Sequence, residues 1–478
     1  MTAFETVIGL EVHLQLNTKT KIFCACRNEF GNAPNSNTCP VCLGLPGTLP
    51  VLNRQVLNSG IKAGLALNCS INSFVKFDRK NYYYPDLPKG YQISQYDFPI
   101  AKNGFLDITV DGNTKRIGIT RAHLEEDAGK LIHDAVNACS LVDYNRTGTP
   151  LIEIVSEPDM RSSQEAYDYL TALKLILQYL NISDCDMEKG SLRCDANVSI
   201  RPLGATKLGT KAELKNLNSF SAVKRAIDFE VGRQTGIILS GGEIIQETLL
   251  WDEAKSRTVS MRSKEQAHDY RYFPEPDLVP FIVSDTVIDK IRQTIPELPQ
   301  AKLTRFMGQY QLSAYDAGIL IQDQMIADFF EVCAKSFPQA KKVSNWVNGP
   351  VLKELNERKM SVVDLKLTPT NLVKLITRVE DGTISNIAAK ELLTDIVLSG
   401  KDVDTLISEK GMAQVSDDAS LESIVDEILA QNEKAVLEIR SGKTTAMGFL
   451  VGQAMKKAQG KANPKRLNDI FTRRLQHA

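Results

Sequence analysis

From Ile8 to Leu16 the chain alternates without a break: Ile8, Leu10, Val12, Leu14 and Leu16 are apolar, and Gly9, Glu11, His13 and Gln15 stand between them. Successive side chains of an extended strand point to opposite faces, so the pattern dictates a strand that buries its even positions and displays Glu11 beside His13. The same period returns between Ser191 and Arg201, where Leu192, Cys194, Ala196, Val198 and Ile200 alternate with Arg193, Asp195, Asn197, Ser199 and Arg201. It returns from Ile119 to Glu126, bringing Arg121, His123 and Glu125 to one face and Glu126 to the other unless the strand ends or bulges there. Strands with one apolar and one polar face belong to antiparallel sheets, so the first part of the chain is expected to be an α+β domain built on antiparallel sheet.

Each strand alone reads simply as the solvated side of such a sheet. Together, their carboxylates, Arg, Asn and Ser make a set suited to a hard cation and to phosphate, with two of the chain's five histidines among them.

The chain has nine cysteines, and in a reducing compartment thiols are more often buried, catalytic or metal-bound than paired. Cys24-x-Cys26, a twelve-residue loop and Cys39-x-x-Cys42 supply four thiolates as two close pairs, the pattern of a Zn(Cys)4 knuckle. Pro40 inside the second pair and Gly44 just after it give a turn in which backbone N–H groups can approach sulfur. Four thiolates leave no open coordination position, so the expected zinc is structural. Four unrelated thiols are the simpler reading, but they rarely fall at ligand spacing on both sides of one loop.

The segment DRKNYYYPDLPKGYQISQ from Asp78, with Tyr96 just beyond, holds Tyr82, Tyr83, Tyr84 and Tyr91 together with Arg79, Lys80 and Lys89. Rings stack on a base while cations meet phosphates, so the segment suits a nucleotide; a Tyr-rich loop packed over a sheet is an equally simple reading. The sequence contains no G-x-x-x-x-G-K-[ST] phosphate loop, which excludes a Walker-type ATPase.

Five of the 19 prolines (274, 276, 280, 296 and 299) fall between Tyr272 and Pro299 and mark a linker or strap. Helical spacing follows over Ala314 to Ala334 and Pro369 to Val379, with Thr368 and Thr370 as candidate caps, and Gly400 can end a further helix. The expected division is a sheet domain over 1–292, an all-α domain over 293–402 and a small helical tail over 403–478.

Lys+Arg 57 against Asp+Glu 58 gives a net charge of -1, so a nucleic-acid partner would have to be held by a local patch. From Arg440 onward there are nine Lys/Arg (440, 443, 456, 457, 461, 465, 466, 473 and 474) against Asp469 alone, whereas Gly411 to Ile439 carries seven acids against Lys434. That asymmetry points to a polyanion-facing tail. No stretch approaches the ~18 consecutive apolar residues of a membrane helix, and the opening residues lack a signal-peptide pattern, so a cytoplasmic protein is expected.

The strings GLEVHLQL from Gly9, FDRKNYYYPDLPKGYQISQ from Phe77, HLEEDAGK from His123, NRTGTPLIEIVSEPD from Asn145, EKGSLRCDANVS from Glu188, ELKNLNS from Glu213 and DYRYFPEPDL from Asp269 resemble one family in order. That family is GatB, the B subunit of tRNA-dependent amidotransferases, and GFLVGQAMKKAQGKANP from Gly448 resembles its YqeY-like tail. The resemblance implies a cradle-shaped domain, a helical domain and a tail that docks tRNA. It also implies a two-step reaction, in which the side-chain carboxylate of Glu-tRNA(Gln) or Asp-tRNA(Asn) is phosphorylated by ATP and ammonia then displaces phosphate.

Carried over by motif, Glu11, His13 and one or both of Glu125 and Glu126 would hold Mg2+, although imidazole is an unusual ligand for so hard an ion. Lys80, Tyr82, Asp195, Asn197, Ser199 and Lys215 match nucleotide- and substrate-facing motifs, and Cys24, Cys26, Cys39 and Cys42 would hold structural Zn2+. The chain carries neither a Ser-Ser-Lys amidase signature nor a recognisable glutaminase cysteine. Ammonia must therefore come from elsewhere, and the resemblance implies an amidase-type A subunit as its source, with a small C subunit completing a heterotrimer. The contrasting expectation is a non-catalytic zinc-containing adaptor that docks tRNA for a partner enzyme.

Overall fold

A computed structural model describes residues 4–134, 137, 139–263, 270–414, 418–440, 445–458 and 462–477. Asp269, Lys443 and Lys461 lie outside the described residues. The chain divides into two compact units, Met1–Leu298 and Pro299–Ala478.

Among the described residues, the first unit is organised on one nine-stranded sheet. Its order is Arg257–Ser263, Glu247–Asp252, Ala212–Lys215, Leu192–Pro202, Phe4–Gln15, Pro150–Ser156, Asn113–Glu126, Ala101–Val110 and Ser70–Ile71. The alternating Phe4–Gln15 strand lies at the centre, antiparallel to Leu192–Pro202 on one side and to Pro150–Ser156 on the other. The sheet departs from the antiparallel expectation at one pair: Ala212–Lys215 runs parallel to Glu247–Asp252. The reason is the helix Phe220–Leu239, which carries the chain back across the sheet between them, as a parallel pair requires.

Even-numbered positions of the central strands are buried, with Ile8, Leu10, Val12, Leu14, Ala122, Leu124, Ile152, Cys194 and Ala196 in one core. The helices Arg54–Ala66, Ser163–Tyr179 and Phe220–Leu239 contribute to that core through Ile61, Leu173 and Val223. Each starts at a residue whose side chain accepts an otherwise orphaned N–H: Asn53 from Gln55 at 2.8 Å, Ser162 from Glu165 at 3.1 Å and Ser219 from Ala222 at 3.0 Å. The odd positions are left to form a polar face.

The proline-rich run is strapped onto the first unit. Phe273–Pro274 pairs with Asp78–Arg79, and Phe281–Ile282 pairs with Phe74–Val75. Arg79 clamps the strap with a bidentate contact to Glu275 at 2.7 and 2.8 Å, reaches Asp277 at 3.3 Å, and lies 4.1 Å above the ring of Tyr91.

The described part of the second unit is helical. The periodic run from Ala314 is two helices, Ala314–Leu320 and Gln324–Ser336, because the Asp323 carboxylate caps the second by accepting from Met325 and Ile326. Thr368, rather than Thr370, caps Pro369–Glu380, and Gly400 ends Asn386–Ser399 in the left-handed region at φ 70°. Leu421, Val425, Ile428, Leu450, Leu467 and Phe471 form a core among the last helices. No helix among the described residues is long and apolar enough to cross a membrane.

Candidate metal centres and the polar sheet face

The pairing register turns a chain-wide pattern into a site. His13 stands opposite Glu153 on one neighbour and Arg193 on the other, and Glu153 stands opposite His123. One step along, Glu11 stands opposite Asp195. Residues directly opposite in a sheet share a face, so these odd-numbered residues form one continuous polar surface.

His13, Glu125 and Glu153 offer ligand atoms all within 4.8 Å of one another. His13 Nε2 lies 3.2 Å from Glu153 Oε2 and 3.6 Å from Glu125 Oε1. His123 Nε2 approaches the same carboxylates at 3.3 and 3.6 Å, while its buried Nδ1 has no hydrogen-bond partner. Burial works against charge on both imidazoles, but the two carboxylates outweigh it: the pKa of His13 is raised and that of His123 is held up to about 9. Glu153 is conversely held well below the usual carboxylate range, since the histidines overcome its burial. Two ionised carboxylates and an imidazole whose proton a bound ion would displace fit a divalent cation.

Around this cluster the structure gathers most of the residues expected from sequence. Asn197 donates to Glu11 at 2.9 Å, and Lys215 reaches Asp195 at 2.5 Å and Glu213 at 3.0 Å. Arg193 donates to Asp127 at 2.8 Å, and Gln15 donates to the same carboxylate oxygen at 3.1 Å. Ser199 is buried two residues beyond Asn197, opposite Val7.

The Asp78–Asn81 strand contributes Lys80, whose ammonium lies 4.8 Å from the Tyr270 ring centroid and 6.0 Å from that of Tyr82. Burial lowers the pKa of Lys80, yet the fields of Glu125 and Glu153, together with Tyr272 and Tyr270, raise it above the ordinary lysine value. Tyr82 is pushed up by burial and then by Glu125. Tyr272 stacks on Tyr96 with centroids 4.3 Å apart. The tyrosine-rich segment and the strap thus bring aromatic rings and a cation to the carboxylate cluster.

Glu11, also expected at the cation, stands beside the cluster and accepts from Asn197. Glu126 is not brought to that cluster. The strand keeps its alternation there, so Glu126 points to the opposite face, ion-paired with Lys89 and accepting from Ile93 N–H at 2.9 Å. Glu153, His123 and Glu213 complete the polar face without having been assigned a role from sequence. Glu153 carried one signal, a lone carboxylate in the otherwise apolar run Leu151 to Val155.

On the first unit the Sγ atoms of Cys24, Cys26, Cys39 and Cys42 also lie within 4.8 Å of one another. The short helix Pro40–Leu43 begins after Cys39 and ends at Gly44 with φ 67°, which returns the chain beside the thiols. Cys39 N–H approaches Cys42 Sγ at 3.2 Å, and the wholly buried Lys21 lies 3.8 Å from the same sulfur while donating to Asn37 O at 2.8 Å. Hydrogen bonding from Cys24 leads, with the Cys39 N–H and Lys21 adding to it against burial, and the Cys42 thiol is lowered to about 5. Four convergent sulfurs fit a tetrahedral thiophilic ion.

The family model for the GatB/GatE catalytic domain matches residues 6–289, and that for the GatB domain matches residues 328–475. The chain belongs to the GatB family.

Among its relatives is the B subunit of the aspartyl/glutamyl-tRNA(Asn/Gln) amidotransferase of Carboxydothermus hydrogenoformans, 54% identical over 478 residues and spanning 99% of both chains. The proteins of the same name from Thermoanaerobacter pseudethanolicus and Syntrophotalea carbinolica are 54% and 55% identical, each over 99% of this chain and over 99% and 98% of the relative.

Proposed function

We propose that this chain is the B subunit of a tRNA-dependent amidotransferase, acting in the cytoplasm with an amidase-type A subunit and a small C subunit. It converts Glu-tRNA(Gln), Asp-tRNA(Asn) or both to the amides at the expense of ATP. The observation that carries this reading is the single polar sheet face on which His13, Glu125 and Glu153 adjoin Glu11, Asp195 and Lys215. The contrasting reading, a tRNA adaptor without chemistry, leaves this buried cluster of charge without a purpose.

A carboxylate does not accept ammonia, so an oxygen of the aminoacyl side chain first attacks the γ-phosphorus of ATP, the bond to the bridging oxygen breaks and ADP leaves. Ammonia from the A subunit then attacks the acyl carbon, the carbon–oxygen bond breaks and inorganic phosphate leaves with the amide formed. Phosphoryl transfer depends on positioning and on neutralising phosphate charge. His13, Glu125 and Glu153 would hold Mg2+, which supplies part of that neutralisation when bound.

Lys80 and Lys215 supply fixed positive charge on the two sides of the face, and both stay protonated because neighbouring carboxylates offset their burial. Asn197 orients Glu11, and Asp127 fixes Arg193 beside His13. Tyr82, Tyr270 and Tyr272 exclude water and offer rings to a base. Cys24, Cys26, Cys39 and Cys42 hold a structural zinc ion away from these groups.

The test is transfer of labelled γ-phosphate from ATP to Glu-tRNA(Gln) and Asp-tRNA(Asn) by the assembled heterotrimer, alongside Mn2+ binding to the same preparations. Glu153→Gln is expected to lose both Mn2+ binding and phosphate transfer while retaining tRNA binding and the glutaminase of the A subunit. Phosphate transfer at the wild-type rate in this variant would overturn the assignment of the site.

A further inference from the structure

Glu125 and Glu126 are adjacent, yet they face opposite sides of the sheet and enter different environments. Glu126 is buried, as is Lys89, with side chains 2% and 6% exposed, and the two form an ion pair. The Glu126 carboxylate also accepts from Ile93 N–H at 2.9 Å, and its carbonyl accepts from the Gln92 side chain at 2.7 Å. Polar contacts from both side chain and backbone therefore fix the residue next to Glu125. A charge pair so enclosed persists only where geometry and hydrogen bonds compensate its desolvation, and it is not needed to build a core.

The stem of Lys89 lies against Gly44, the residue that ends the knuckle helix. A Cβ built on Gly44, two residues after Cys42, would fall 2.2 Å from Lys89 Cγ, so the lysine stem lies directly on the bare α-carbon that ends the knuckle helix. A second route runs in parallel. Gly148 carbonyl accepts from Ile22 N–H at 3.0 Å beside the knuckle, while Gly148 N–H donates to Asp127 O, also at 3.0 Å, one residue past Glu126. The knuckle is thus joined to the end of the Asn113–Glu126 strand on the face opposite the carboxylate cluster.

We propose that the Lys89–Glu126 pair couples the cysteine knuckle to the cation cluster, making Lys89 and Glu126 positioning residues for Glu125. The inference rests on the reading of His13, Glu125 and Glu153 as a cation site. When the knuckle is closed by its metal, Gly44 holds the Lys89 stem, Lys89 holds Glu126, and the backbone at Glu126 sets the direction of the Glu125 carboxylate. Opening the knuckle frees Gly44, and the restraint is lost without any direct contact between the two metal centres.

The experiment is a thermodynamic cycle on the full-length chain, with Mn2+ binding as the readout. One arm removes the knuckle metal through Cys39→Ser. The other replaces the pair with apolar residues of similar length, Lys89→Met with Glu126→Met, so that no unpaired charge is buried. Each change alone is expected to weaken Mn2+ binding about tenfold, the size typical of losing an outer-shell support. Cys39→Ser added to the double variant should weaken it by less than about twofold more.

The double variant should keep its zinc and a cooperative unfolding transition, lowered by the loss of the acceptor for Ile93 N–H, and in the heterotrimer the KM for aminoacyl-tRNA should hold while the Mg2+ requirement rises. Lys89→Arg with Glu126 retained, which keeps the charge pair, should keep much of the affinity. Wild-type Mn2+ affinity in the double variant, or losses that simply multiply with Cys39→Ser, would overturn the coupling. Wild-type Mn2+ binding that His13→Ala does not alter would instead overturn the cation site itself, and the coupling with it.

Discussion

His13 and Glu153 face each other across two central strands, imidazole Nε2 to carboxylate Oε2 at 3.2 Å, although 140 residues separate them in sequence. The contact is made by register alone, and it fixes the direction of the only carboxylate in its strand.

Glu153→Gln is nearly isosteric and removes one negative charge from the cluster. Loss of a group that stabilises transition-state charge costs on the order of 100-fold or more in rate. The expected outcome is that loss in phosphate transfer, with an unchanged zinc content and a far-ultraviolet spectrum like that of the wild type. His13→Ala should behave alike, and its kinetics can be read on the same misacylated tRNA.

Metal analysis of the purified chain should return about one zinc per molecule, as four thiolates require. Cys42→Ser, which removes the buried member of the quartet, should lower both zinc content and the unfolding temperature, since binding free energy at a closed site is folding free energy. A chain with no zinc and unimpaired stability would argue for four independent thiols.

Asp323 breaks what would otherwise be one helix from Ala314, because its carboxylate takes the N–H groups of Met325 and Ile326 at 2.7 and 3.2 Å. Asp323→Ala should cost about 1 kcal/mol in denaturant unfolding of the second unit, whereas Asp323→Asn should cost much less. Equal effects of the two would mean that the cap contributes nothing.

The basic tail is already partly neutralised by the acidic stretch before it. Lys457 pairs with Glu427, and Arg474 reaches Glu422 and Asp426 at 3.2 Å. These exposed pairs are each worth roughly 0–1 kcal/mol, so phosphate can displace them. The exposed Lys456, Lys465 and Arg473 are the better cations to reverse together. Their reversal should reduce the slope of log affinity against log salt by about 0.7–0.9 for each phosphate no longer neutralised, equally for both tRNAs. Superimposable salt curves would return the tail to a solvated surface.

The sheet faces were legible because burial on one side leaves a period of two, and Glu11, His13, Asp195 and Asn197 all fell where that period puts them. Glu153 was hidden by the same logic. Its strand is apolar at Leu151, Ile152, Ile154 and Val155, so no alternation sets the carboxylate apart, and its partners lie far away in sequence. Glu126 was ambiguous because two successive glutamates fit a cation site equally well in composition, and only the register, regular from Arg121 to Glu126, separates them. The quartet of thiols was legible from spacing, whereas Lys21 beneath it was not, since nothing local tells a buried lysine from a solvated one. The helix break at Asp323 escaped because apolar spacing continues through it.

The strand that carries Glu11 and His13 is made well before its neighbours: Glu11 is matched by Val155 on one side and Asp195 on the other. Until Pro150–Ser156 exists this apolar-faced strand has two open edges, and until Leu192–Pro202 exists it still has one, each a template for pairing with another chain. The central position that makes the polar face rigid in the finished molecule therefore leaves this strand in need of shelter during synthesis.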